Sequence, residues 1–384
     1  MWGGTLKGSG WRVLAALSAV SLGGCMAEQD IPGATSTFSA TYGSADDRPS
    51  KLFISGHSLT DRPFPDFLAA LAGREGHSLE WNMQHLEGSS LRRRTQGDGS
   101  AAWSGYRQGT DRDRRPIDVL DELGPRPGEA PYDTLILNEV HTLLESLIWN
   151  DTIGHATDYE ARFFGSNPDG QTYLYAAWLN VDDLDDPTGW IAYEHAAIKA
   201  WQCTAMQINA RLTAKGRTRP VRLIPAAPAL AALVKQAVSE AGLKRLSAST
   251  PRATIERLFA DDVHLTELGN YYIALITYIA LYGSLPADPW TSGLDPELAS
   301  EIQLFAGRFM AEWRREQARV PINCSQYLAD EFAGTYLSYV RDAKWREADG
   351  RLRAHYKWAR FSIEWPRLLR GDSPENPFRA GKVG

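Results

Sequence analysis

Lys51-Leu-Phe-Ile-Ser-Gly-His-Ser-Leu-Thr60 is the stretch on which the fold turns. Residues 51–55 form a short apolar, β-prone run, Gly56 follows at once, and apolar residues recur with a helical period over 64–71. That order reads as strand, tight turn, helix. The same unit recurs outward. Residues 77–84 alternate like a strand, 133–137 and 172–176 read as buried strands, and 221–224 as a fifth. Helical stretches at 143–150, 159–165, 191–215 and 228–242 lie between and after them, and an apolar helix at 265–282 closes the series. Strands that alternate with helices imply a parallel sheet, because a parallel connection needs a crossover long enough to hold a helix. The expected architecture is a doubly wound α/β sandwich, whose chemistry belongs at the carboxyl ends of the strands.

The bulk properties agree. The chain has 384 residues, of which 43% are apolar and 23% charged, with a net charge of −6. These values exclude disorder as the main state. An acidic balance without a long basic block argues against nucleic acid as a partner. After 282, Pro286-Ala-Asp-Pro289 breaks the pattern, and helices are expected at 295–319 and 325–346 with no further strand. Between Arg341 and Trp365 basic and aromatic residues interleave, which reads either as a face for an anionic polymer or as an amphipathic cover with snorkelling Arg and Lys.

Ser58 lies three residues beyond the first strand, where a glycine permits a sharp turn and the next helix aims its amides back at the hydroxyl. A serine nucleophile needs a base. His264 in Asp261-Asp-Val-His264-Leu is the candidate, since a carboxylate three positions earlier on a turn can hold the Nδ1 proton and leave Nε2 free to accept from serine. Asp261 is preferred for that carboxylate and Asp262 is the fallback. His57 is a poor base for its neighbour, because adjacent side chains point apart.

With these blocks the chain resembles the SGNH or GDSL-type serine hydrolases over residues 51–283. The closing block, Asp261-Asp-Val-His264-Leu-Thr-Glu-Leu-Gly269, carries most of the likeness. The resemblance implies a flavodoxin-like five-stranded parallel sheet, here with a C-terminal helical extension, and a Ser58–His264–Asp261 triad. It also implies an oxyanion hole made by Ser58 itself, by Gly88 after the second strand and by Asn138 after the third. Two departures stand out. His57 replaces the aspartate that usually precedes the nucleophile, and the Gly-x-Asn-Asp block has become Ile136-Leu-Asn-Glu139. Such an enzyme would cleave small acyl esters, acetyl among them and on a glycan for instance, through an acyl-enzyme, with neither metal nor cofactor. The alternatives are an acyltransferase acting on a cell-envelope polysaccharide and a catalytically silent binding protein of the same fold. The long loop after Gly88, with Trp103 and Tyr106, is expected to shape specificity or to lie solvated; Glu139, His141 and Trp178 are further candidates for the cleft.

The first 24 residues are set apart. Lys7 and Arg12 precede an apolar run that ends in Leu22-Gly-Gly-Cys25, which resembles a bacterial lipoprotein signal with Cys25 as the acylated residue. Residues 25–50, rich in small and polar side chains, would be a flexible tether, 51–285 the hydrolase domain and 286–384 the helical extension. The implied location is the periplasm-facing cell envelope, lipid-anchored. In that oxidising setting Cys203 and Cys324 would either pair as a disulfide or stay as two buried thiols. The eight scattered histidines and the absence of any CxxC spacing give no metal-site pattern.

Overall fold

In a computed structural model, residues 49–98, 103–290, 293–317, 323–371, 373 and 375–379 are described. The expected signal, Cys25 and nearly all of the tether fall outside them. The folded body begins with β1 (Lys51–Gly56), α1 (Phe64–Arg74), β2 (Glu80–His85), α2 (Leu91–Thr95) and α3 (Val119–Leu123). It continues through β3 (Thr134–Asn138), α4 (Leu143–Trp149), α5 (Thr152–Ser166), β4 (Gln171–Tyr175) and α6 (Thr188–Ala214). Next come β5 (Arg222–Ile224), α7 (Ala226–Val238), α8 (Pro251–Ile255) and α9 (Glu267–Tyr282).

All five strands are parallel, in the order β2-β1-β3-β4-β5. This is the flavodoxin-like doubly wound order, with its direction reversing between β1 and β3. Every residue of β3 and β4 is buried. That explains why those strands read as unbroken runs instead of alternating: both faces of the sheet are covered. The crevice of such a sheet opens outside the carboxyl ends at the reversal. Ser58 follows β1 and Asn138 ends β3, so both stand at that point. The expected strand at 77–84 begins three residues later, and the helix expected at 159–165 starts at Thr152, next to the end of α4.

Beyond α9 the chain is helical throughout: α10 (Pro296–Gln317), α11 (Cys324–Tyr327), α12 (Ala333–Val340), α13 (Arg346–Asp349) and α14 (Arg351–Arg370), with π-turns at Leu328–Phe332 and Arg341–Trp345. One apolar cluster runs through sheet and extension alike. α9 is apolar on all sides because α1, α7 and α10 surround it. α11 and α12 pack on α6, and a disulfide between Cys203 of α6 and Cys324 of α11 ties them, with a Cα–Cα distance of 5.4 Å. Over Arg341–Trp365 the segment covers the body with Trp345, Ala354 and Trp365 buried and Arg341, Arg346, Lys357 and Arg360 paired with Asp342, Asp349 and Glu364, while Leu352, Tyr356 and Ile363 are exposed. Among the described residues no helix is long and apolar enough to cross a membrane.

Candidate active site

β1 delivers Ser58 through a short 3-10 turn, Ser58–Thr60. Gly56 is needed there because the chain folds back so tightly that a Cβ at this position would lie 1.9 Å from Thr60 Oγ1. On the other side of the crevice, the turn before α9 carries His264. Asp261 organises that turn, its Oδ1 accepting from the amides of Val263 at 2.8 Å and His264 at 2.6 Å. Its Oδ2 accepts from His264 Nδ1 at 2.7 Å, and His264 Nε2 lies 3.0 Å from Ser58 Oγ, across 206 positions of sequence. Partial burial alone would raise the Asp261 pKa, but the amide and ring of His264 outweigh it and hold the carboxyl below its usual range. Asp262 is committed elsewhere, accepting from Asn180 Nδ2 at 2.9 Å, so the fallback carboxylate is not the one on the imidazole.

Three groups at or near the Gly56–Thr60 turn are candidate donors to a developing negative charge: the Ser58 amide, the Gly88 amide, two residues beyond Leu86, whose own amide donates to Gly56 O at 3.1 Å, and Asn138, whose Nδ2 lies 3.4 Å from Thr60 Oγ1. Neither the Ser58 amide nor the Gly88 amide donates to another described group. Gly88 has φ +54, a left-handed conformation that favours glycine, and open space where a Cβ would stand. It lines a cleft of about 390 Å³ together with Ser90, Arg92, Arg93, Val140 and Asn150. Ser58, Asn138 and His264 line neither this cleft nor the two comparably large surface depressions lined by residues 237–254 and 243–308. Asn138 is fully buried, and its Nδ2 makes only a long 3.4 Å contact with Thr60 Oγ1.

Behind these groups lies a buried brace. Arg94 of α2 has no exposed surface; its Nη1 donates to Ser89 O and Oγ, each at 2.7 Å, its Nε to Ser55 Oγ at 3.0 Å, and its Nη2 to the Asn138 carbonyl. One guanidinium therefore joins β1, the Gly88-Ser89 turn and the end of β3. Burial pushes its pKa down to about 10, against the charge of Glu139, which leaves it a cation at neutral pH. Reading residues 91–95 as a Ser90-capped helix would have placed Arg94 on the same inner stripe as Leu91 and Thr95. Within a loop expected either to shape specificity or to lie solvated, Arg94 carries no signal of this brace.

Several residues expected at the cleft are elsewhere. Tyr106 is fully buried, its hydroxyl donating to Asp158 at 2.7 Å, so it is a core side chain. Trp103 lies against Tyr106, His155 and Arg162, over α5, and makes no contact with the triad residues. Trp178 is buried and donates to the Val263 carbonyl at 2.8 Å, which backs the His264 turn without lining the cleft. Glu139 is buried too, its carboxylate accepting from the amides of Leu91 and Val140 and from Thr152 Oγ1, thereby fixing the start of α2 and of α5. His57 turns its Nε2 to the Glu139 carbonyl at 3.2 Å, and complete burial pushes its pKa down to about 3. It is neutral and faces away from Ser58. His141 stays near the site, its ring 6.2 Å from that of His57. Among the described residues no group of three His, Cys, Asp or Glu is disposed to hold a metal ion.

No family model and no curated protein matches this chain. Among solved structures, it is similar to a DUF4886 family protein from Bacteroides uniformis, with 15% identity and a TM-score of 0.48 over 69% of this chain and 95% of that one.

Proposed function

We propose that this protein is a serine esterase of the SGNH type that cleaves small acyl esters through an acyl-enzyme. The observation that carries the reading is the unbroken relay from Asp261 through His264 to Ser58, at 2.7 and 3.0 Å, beside two uncommitted amides. Ser58 Oγ attacks the ester carbonyl while His264 Nε2 takes its proton and Asp261 stabilises the resulting imidazolium. The carbonyl oxygen gains negative charge, which the amides of Ser58 and Gly88 and the side chain of Asn138 receive, each donor contributing roughly 3 kcal/mol. Collapse expels the alcohol, which takes the proton from His264. Water then attacks the acyl-enzyme with the same imidazole as base, releasing the acid and restoring Ser58.

Tyr106 is buried and Trp103 lies over α5, so neither aromatic of the long loop is placed to stack on a sugar at Ser58, and the substrate is a small ester. The disulfide supports export to an oxidising compartment, with Cys25 as the residue that would carry the lipid anchor. A chromogenic acetyl or butyryl ester assayed with the wild type, Ser58→Ala and His264→Ala tests the mechanism. Turnover is expected in the wild type and its near-complete loss in both variants; hydrolysis that survives both substitutions would reject it.

A further inference from the structure

The arginines that follow β2 are already engaged. Arg94 is the buried brace, Arg114 holds Asp61 through two bonds of 2.7 Å, Arg115 holds Asp111 and Asp113, and Arg93 holds Asp98. Arg92 donates to Gln96 Oε1 and to the Trp149 carbonyl. The cation that stands out comes instead from the C-terminal extension. Lys344, on the π-turn Arg341–Trp345, places its Nζ 3.0 Å from His141 Nε2. No carboxylate of the described residues lies within ion-pair distance of it.

An ammonium has three donors and no acceptor, and here one donor goes to an imidazole. His141 accepts at Nε2, so its proton sits on Nδ1, and that buried atom has no partner. Burial lowers the Lys344 pKa, with Glu145 and Asp262 opposing from a distance. A half-buried cation with no carboxylate in direct contact is poorly compensated unless an anion reaches it, which a bound ligand can do. The His141 ring lies 6.2 Å from that of His57, the residue before Ser58, and His141 feels the charge of His264 as Lys344 feels that of Asp262, the residue after Asp261.

We infer that Lys344, seated on His141, is an anion-binding subsite, and that the ester cleaved at Ser58 carries a carboxylate, sulfate or phosphate on its acyl or alcohol part. The substrate half of this inference rests on the esterase reading; the anion site does not. Two measurements separate them. In the first, kcat/KM is compared for 4-nitrophenyl acetate, 4-nitrophenyl hemisuccinate and 4-acetoxybenzoate, which place no anion, an acyl-side anion and an alcohol-side anion at the site. In Lys344→Met the ratio of anionic to neutral kcat/KM is expected to fall about tenfold through KM for one of the two anionic esters, and Lys344→Arg is expected to restore it. In the second, succinate is titrated calorimetrically into the full chain, with binding expected for the wild type and Lys344→Arg and at least tenfold weaker for Lys344→Met. Succinate binding that depends on Lys344 without turnover of any ester would leave the anion site standing and remove the esterase. An unchanged ratio, or succinate binding that is absent from the wild type or equal in Lys344→Met, would overturn the subsite.

Discussion

Arg94→Lys is the most informative single change, because it keeps the charge and removes the fork. The guanidinium reaches Ser55 Oγ, Ser89 O and Oγ, and the Asn138 carbonyl from three nitrogens. A lysine has one nitrogen, so it can serve the Ser89 side or the Asn138 side but not both. At least two buried acceptors then lose their donor, at about 1–3 kcal/mol each, for a total of roughly 2–6 kcal/mol. The same change frees the Gly88-Ser89 turn from β3, so the proposed oxyanion donors drift apart. Full loss of one such donor is worth about 10²–10³ in kcat, and partial misalignment is expected to lower kcat roughly 10–100-fold with little change in KM. Urea unfolding followed by tryptophan fluorescence measures the first effect, and ester kinetics at a temperature where the variant is folded measures the second. Arg94→Met should be worse still, since buried Glu139 then lacks the cation that opposes its desolvation, and Glu139→Gln in that background should recover part of the stability. A midpoint and kcat in Arg94→Lys that match the wild type would show that the brace holds nothing in place.

Glu194, fully buried with one bond from the Leu179 amide, has its pKa pushed up to about 8 by desolvation. A raised folded-state value means that stability is fully present below the ordinary glutamate range and is lost between about pH 4.5 and 8, at up to about 1.4 kcal/mol per unit. The melting temperature should therefore fall over that window in the wild type and fall less in Glu194→Gln; parallel curves would remove the burial argument. Asn138→Ala should lower kcat by about 10²–10³ while leaving KM and the unfolding midpoint near the wild type, and a change confined to KM would place the amide on the substrate's ground state instead. Reducing Cys203–Cys324, which closes a separation of 121 residues, should cost up to about 4–5 kcal/mol of stability in the chain-entropy account, read as a drop in melting temperature with dithiothreitol.

The sheet was legible because burial on both faces turns parallel strands into unbroken apolar runs, so 51–55 and 133–137 identify themselves. Ser58 and His264 were legible because each stands on a turn beside a readable element, and His264 Nε2 does lie 3.0 Å from Ser58 Oγ; Gly88 and Asn138 were named only through the likeness to SGNH-type hydrolases. What stayed hidden were the destinations of side chains on irregular segments. Tyr106 and Arg94 belong to a stretch with no long periodic element, so sequence could not tell a solvated tyrosine from one donating to Asp158, nor a surface arginine from a buried brace. Glu139 was placed at the correct strand end, but whether its carboxylate points to the cleft or caps neighbouring amides depends on where α2 and α5 begin, which is a tertiary fact.

Lys344 shows the same limit in its sharpest form. In a continuous α-helix, residues five apart lie well off a common face, because 3.6 residues complete a turn. A π-turn closes its ring five residues back, and here the Arg346 amide donates to the Arg341 carbonyl. The local widening brings positions five apart towards one face. Tyr339, just before the turn, donates to the Asn180 carbonyl at 2.6 Å, and Asn180 in turn holds Asp262. Lys344, five residues on, reaches His141, and Trp345 reaches Glu145 of α4 at 3.1 Å. A regular helix over the same residues would present Lys344 away from the crevice if Tyr339 kept its bond. The irregularity is thus what allows one helical segment to support the His264 turn with a tyrosine and to offer a cation to the strand end that carries Asn138. No periodicity in residues 333–349 announces it, and the partners it serves, Glu145 of α4 and the face of α6 under α12, are tertiary.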